Sequence, residues 1–173
     1  MPAHPNRRTV VRSAVWAVPA VAVATAAPAL AVSAPAITPL LTFDTFAFFR
    51  AEDDKSGNPT KIETKVQVQN KQQPNGPTVT SLTVTVSFPD TRTNGGAPTI
   101  VSGPGWTYAT TEHTGGNYAY TFLYVGSIPL SQSTPELDFR VPLTLVNNDK
   151  FTIHAIASAA GGIGSADATG KIK

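Results

Sequence analysis

The chain has 173 residues, with 13 Lys+Arg against 11 Asp+Glu and no cysteine. The missing cysteines exclude a disulfide frame, a thiolate metal site and a lipid-anchor cysteine, so stability has to come from a packed core. Arg7, Arg8 and Arg12 are the only charged residues before Asp44, and thirteen cationic residues less these three leaves ten against eleven carboxylates. The remaining chain is therefore expected to carry a charge of minus one, without the basic stripe that a nucleic-acid binder needs.

The first element is a leader. A basic head is followed by a mild apolar run, Ala14 to Ala27, that is rich in Ala and Val and contains Pro19. It is too weakly apolar and too broken for a stable membrane anchor. It ends in Ala29-Leu30-Ala31, small residues at the two positions a signal peptidase must accept, so residues 1–31 read as a cleavable export signal cut after Ala31. Asn6-Arg7-Arg8-Thr9-Val10-Val11-Arg12 resembles the twin-arginine (Tat) signal, although Val10 stands where Phe is commonest. The resemblance implies recognition of Arg7 and Arg8 by the Tat export machinery and passage across the membrane in the folded state. The alternative is an ordinary secretory signal that carries two arginines.

Residues 32–40, with Pro35 and Pro39, read as an extended lead-in to one domain over 41–173. Alternation with period two dominates that domain. Ile62, Thr64, Val66 and Val68 share one face of a strand whose other face is Glu63, Lys65, Gln67 and Gln69. Leu82, Val84, Val86 and Phe88 repeat the pattern, as do Leu137, Phe139, Val141, Leu143 and Leu145. Turn clusters such as Ser56-Gly57-Asn58-Pro59, Asn94-Gly95-Gly96 and Gly115-Gly116-Asn117 punctuate the runs. The strands predicted between them are 41–50, 60–70, 78–89, 97–101, 106–111, 117–125, 136–146, 150–158 and 165–172. Many short antiparallel strands and no amphipathic helix make the expected fold class all-β, an immunoglobulin-like antiparallel β-sandwich preceded by a cleavable signal segment. Pro142 points to an edge strand or a bulge, because proline cannot donate to a ladder.

Gly105-Trp106-Thr107, the Tyr-rich strand ending Tyr124-Val125-Gly126, and the flanking Val66-Gln67-Val68-Gln69-Asn70 and Pro89 resemble the immunoglobulin-like repeat of bacterial surface proteins termed domain of unknown function 11. In that family cysteines often follow the Gly-Trp pair and recur in the next strand. Here Tyr108 and Phe122 stand at the matching places, which implies an aromatic contact where a disulfide would be. The resemblance implies a cell-surface, adhesive or spacer role and brings no catalytic residues with it.

The search for chemistry agrees with a non-catalytic reading. No HExxH, GxSxG, P-loop or paired-carboxylate spacing occurs, and no cofactor or metal is expected. His113 beside Glu112 reads as part of a solvated, Gly-flanked loop, and His154 as a half-exposed strand residue. Glu52-Asp53-Asp54, with Ser56 and Asn58, offers oxygen ligands but not the spacing of a calcium loop, so it reads as an acidic turn. Gly161-Gly162-Ile163-Gly164-Ser165 reads as a hairpin connection.

The strongest binding pattern is Asn117 to Val125, in which Tyr118, Tyr120, Phe122 and Tyr124 share a face. Two readings stay open. Tyr118, Tyr120 and Tyr124 form an exposed platform on which sugar rings stack, or the whole row joins Trp106 in the core. The expected protein is thus a secreted or wall-associated structural, adhesive or interaction module, with a carbohydrate-binding module as the alternative. Its expected partners are cell-wall polysaccharide or a surface protein. The C-terminal Thr169-Gly170-Lys171-Ile172-Lys173 shows neither an apolar tail nor a sortase motif, so no stable membrane anchor is expected.

Overall fold

A computed structural model describes residues 36–144 and 150–172. The expected leader motif Arg7, Arg8 and the expected cleavage residues Ala29, Ala31 lie outside the described residues. Among the described residues ten strands follow one another: β1 (Leu41–Asp53), β2 (Pro59–Asn70), β3 (Val79–Pro89), β4 (Thr99–Ser102), β5 (Trp106–Thr114), β6 (Asn117–Ile128), β7 (Gln132–Ser133), β8 (Leu137–Pro142), β9 (Phe151–Ala159) and β10 (Gly162–Gly170). They form two antiparallel sheets, one in the order β1-β2-β8-β4 with β7 on the end of β2, the other in the order β10-β9-β3-β6-β5. The fold is an all-β sandwich, and no helix occurs among the described residues.

The alternating sets close the sandwich. Ile62, Val66 and Val68 of β2 and Leu137, Phe139 and Val141 of β8 are buried from one side. Leu82, Val84, Val86 and Phe88 of β3, Tyr120 and Phe122 of β6, and Ile153 and Ala157 of β9 meet them from the other. Phe122 and Phe139 join the two sheets with ring centroids 4.4 Å apart, and the Phe88 ring meets Phe139 edge-on. Burying each such side chain is worth about 1.5–3 kcal/mol, so this layer supplies most of the driving force for folding.

In β1 the alternation breaks at a bulge between Phe43 and Thr45. One extra residue, Asp44, is pushed outward, so that Phe43, Phe46 and Phe48 can all pack against the core. β1 also runs beside β10 without joining its ladder. A Cβ on Gly162 would lie 2.1 Å from the Pro39 carbonyl oxygen, and one on Gly164 only 2.5 Å from that of Leu41. Only glycine permits this approach, which covers the inner face of β10 with the start of β1.

At the far end of β2 the buried Asn70 amide donates to the carbonyls of Pro77 (2.9 Å) and Ile128 (3.0 Å), tying β2 to the start of β3 and the end of β6. The Gly103-Pro104-Gly105 turn then carries the chain from β4 in the first sheet to β5 in the second. There Trp106 Nε1 donates to Pro135 O at 2.9 Å.

Several expectations need correction. β5 continues to Thr114, so His113 is a strand residue and not part of a loop; Gly115 and Gly116, both at positive φ, make the two-residue turn. β10 begins at Gly162, because Ala160 and Gly161, at φ of 46° and 84°, already complete the hairpin. β8 stops at Pro142, short of the predicted end, and the two-residue β7 carried no alternation to reveal it. Nor is β8 an edge strand. Leu143 N donates to Thr60 O of β2, so the neighbouring Pro142 nitrogen points to the other side, beyond the end of the β4 ladder, where no donor is needed.

Candidate functional site

The aromatic row of β6 turns inward. Tyr120 and Phe122 are fully buried, Tyr124 is nearly so, and Tyr118 is half-buried. The Tyr120 hydroxyl meets Thr93 Oγ1 at 3.0 Å inside the sandwich, and burial raises its pKa. Tyr124 packs on Trp106 with centroids 5.2 Å apart, and Tyr118 stacks on His113 at 4.4 Å. Of the two readings of this row the structure agrees with the core one: Tyr120 and Tyr124 are buried and present no exposed sugar platform with Tyr118. The sheet's inner face meets the core of the first sheet, and the aromatic side of β6 packs there. Tyr108 and Phe122 are register partners on β5 and β6, with rings 6.0 Å apart, the aromatic contact expected at the disulfide-like position.

The expected acidic turn is divided: Glu52 and Asp53 end β1, and only Asp54 lies in the turn, where it caps the backbone. Asp54 Oδ1 accepts from the backbone N–H groups of Ser56 (2.8 Å) and Asn58 (2.9 Å), and its Oδ2 accepts from Asn58 Nδ2. The hydrogen bonds from Asn58 hold its pKa below the ordinary value. Asp53 pairs with Arg50, and Glu52 with Lys61 and Arg140. No group of three metal-ligating side chains occurs among the described residues. The two histidines among the described residues are paired as well, His113 with Asp90 at 3.2 Å and His154 with Asp167.

The outer face of the first sheet is a lattice of charge. Arg140 on β8 bridges Glu63 (2.7 Å) and Glu52 (3.1 Å), and Lys65 on β2 reaches Glu136 (3.1 Å) and Asp138 (3.9 Å). The period-two pattern placed Glu63 and Lys65 together, but only the pairing of β2 with β8 brings Asp138 and Arg140 opposite Lys65 and Glu63. Asp138 is 8% exposed, and its Oδ1 has no hydrogen-bond partner. Burial raises its pKa, the charge of Glu63 adds to this, and Lys65 and Arg140 oppose it. The carboxylates are matched to cations rather than to each other across a cleft, which suits a solvated sheet face better than acid–base chemistry.

The outer face of the second sheet is different. Along β3 it presents Ser81, Thr83, Thr85 and Ser87, with Thr85 bonded to Thr121 of β6 at 3.0 Å. Four large aliphatic side chains stand on the same face: Val125 (73% exposed), Ile163 (71%), Ile156 (52%) and Leu123 (41%). Ser81, Thr83, Ser158 and Ile163 line a shallow, open hollow of about 370 Å³ beside the β9–β10 hairpin. The sequence reading gave these aliphatics no role, and it placed Ile163 in a hairpin connection where the structure has it in β10. The signal was present in Leu123 and Val125, which occupy the side of β6 opposite the tyrosines.

No known family model matches the chain, and no curated protein matches it in sequence.

Proposed function

We propose that this chain is an exported, non-catalytic interaction module of the bacterial surface, delivered by its Tat-like leader and folded as an immunoglobulin-like sandwich. One observation carries the reading: the hydroxyl-lined outer face of the second sheet keeps four large aliphatic residues in solvent, while the aromatic row of β6 faces inward and the acidic clusters are paired within the fold. Such a face gains free energy by being covered. The strand order supports the immunoglobulin-like part. β1-β2-β8-β4 against β10-β9-β3 follows the ABED and GFC arrangement of constant-type domains, with the β5–β6 hairpin added beyond the third strand. For export, the support is the sequence Asn6 to Arg12 and the small residues Ala29 and Ala31.

The test is retention of the purified protein on insoluble cell wall, cellulose, chitin and intact cells, beside a Val125→Lys variant. Saturable retention lost in the variant is the expected result. Absence of retention on every support, together with absence of self-association, would refute the reading. In cells, replacing Arg7 and Arg8 by Lys should stop export if the leader is of the Tat type.

A further inference from the structure

We infer that Asn75 is a site of spontaneous covalent modification, at which the side-chain amide is lost through a ring closed onto the Gly76 nitrogen and the residue becomes aspartate or isoaspartate. Pro74-Asn75-Gly76-Pro77 lies between β2 and β3, and its turn is closed by Gly76 N–H donating to Gln73 O at 3.2 Å. Pro74 and Asn75 are thus the two central residues. Asn75, at a φ of 56°, fills the left-handed place that a turn with proline first demands of its second central residue. It is exposed, and its side chain makes no hydrogen bond among the described residues.

The chemistry needs a free amide and an unshielded nucleophile. The Gly76 nitrogen gives its proton to hydroxide and attacks Asn75 Cγ. The Cγ–Nδ2 bond breaks, ammonia leaves with a proton from solvent, and a five-membered succinimide remains. Water then opens the ring. Breaking the new Cγ–N bond leaves aspartate, whereas breaking the original peptide bond leaves isoaspartate, with one extra carbon in the backbone. Nothing is oxidised or reduced, and water is the only reagent consumed. Glycine suits the attacking position because no Cβ screens its nitrogen.

The other asparagines among the described residues are protected, each in its own way. Asn58 precedes Pro59, which has no N–H to give up. Asn70 is buried, with its amide spent on two carbonyls, and Asn117 precedes a tyrosine and donates to Gly115 O. Asn94 is the informative comparison, since Gly95 follows it. Its Oδ1 accepts from Gly96 N–H at 3.0 Å, and Gly95 lies so close under the Tyr118 ring that a Cβ there would be 2.3 Å from it. Both the amide and the nucleophile are therefore held at Asn94, and only the long turn hydrogen bond holds them at Asn75.

Conversion reaches the fold through Pro77. Its carbonyl accepts from the buried Asn70 amide at 2.9 Å, the bond that ties β2 to the start of β3. An isoaspartate lengthens the chain two residues before that carbonyl and displaces it from its donor.

The experiment is storage of the purified chain in warm, mildly alkaline buffer beside Asn75→Gly, which accepts the left-handed backbone without strain, and Asn75→Asp. Peptide mass mapping follows the gain of one mass unit at each asparagine, and fragmentation separates isoaspartate from aspartate. Asn75 should convert about tenfold or more faster than Asn94, because a hydrogen bond broken before attack slows the step by up to about that factor. The rate should rise with pH, as hydroxide takes the Gly76 proton. Stored wild type should melt below fresh wild type, whereas stored Asn75→Gly and fresh Asn75→Asp should not, since neither lengthens the backbone. An Asn75 that keeps its amide, or an Asn94 that converts as fast, would overturn the inference. Equal melts of fresh and fully converted chains would overturn the displacement of Pro77.

Discussion

Gly164→Ala tests how β1 seals the sandwich. The new methyl would sit 2.5 Å from the Leu41 carbonyl oxygen, 2.9 Å from its carbonyl carbon and 3.1 Å from its Cβ. Ordinary contact begins near 3.4 Å, so β1 must retreat by 0.9 Å. The obstacle is backbone, which cannot swing aside as a flexible side chain would. Overpacking of this kind costs about 1–3 kcal/mol. Alanine returns about 0.4–1 kcal/mol by restricting the unfolded chain, because Gly164 is not among the positive-φ glycines. The net loss is about 1–2 kcal/mol, or roughly 4–8 °C in Tm for a domain of this size. Thermal melts of Gly164→Ala and of Ser165→Ala, its outward neighbour, would measure it, and hydrogen exchange would follow the amides of residues 41–46. The expected pattern is a lower Tm and faster exchange at the start of β1 for Gly164→Ala, with neither in the control. A melt equal to wild type, or a lower one with β1 exchange unchanged, would refute the argument that close approach to β10 holds this strand.

Other substitutions probe the buried polar groups and the acidic turn. Asn70→Ala leaves the Pro77 and Ile128 carbonyls without their donor and should cost about 2–4 kcal/mol by urea titration. Asp138 has a folded-state pKa raised by burial, so its contribution to stability is fullest below its unfolded value and is lost as pH rises through the folded one. Asp138→Asn should therefore gain on the wild type between pH 3 and 7, by an amount on the order of 1 kcal/mol, in paired urea melts; a gap that narrows with rising pH would contradict the assignment. Calcium and chelator should both leave the Tm unchanged, because the Asp54 oxygens are engaged by Ser56 and Asn58. A calcium-dependent rise would show instead that those oxygens can be recruited to an ion.

The strand pattern could be read directly because it is a local property. Ile62 to Val68 and Leu82 to Phe88 repeat at the spacing a pleated strand imposes. The sequence therefore determined the all-β class, most strand positions and the buried side of β2, β3 and β8. Composition also removed disulfide chemistry from consideration. What it left undecided depends on which strands become neighbours. Alternation shows that β6 has an aromatic side and an aliphatic side, but both are apolar enough to be buried. Only the placement of β6 beside β3, opposite Phe139, turns the tyrosines inward and leaves Leu123 and Val125 in solvent. Asp138 stands beside Lys65 because β8 pairs with β2 across more than seventy residues of chain, and Gly164 has to be glycine because β1 comes from the other end of the domain to lie on it. Hydrophobic periodicity fixes what a segment is, whereas the choice among equally apolar faces is made by long-range pairing and packing, which a strand's own residues do not encode.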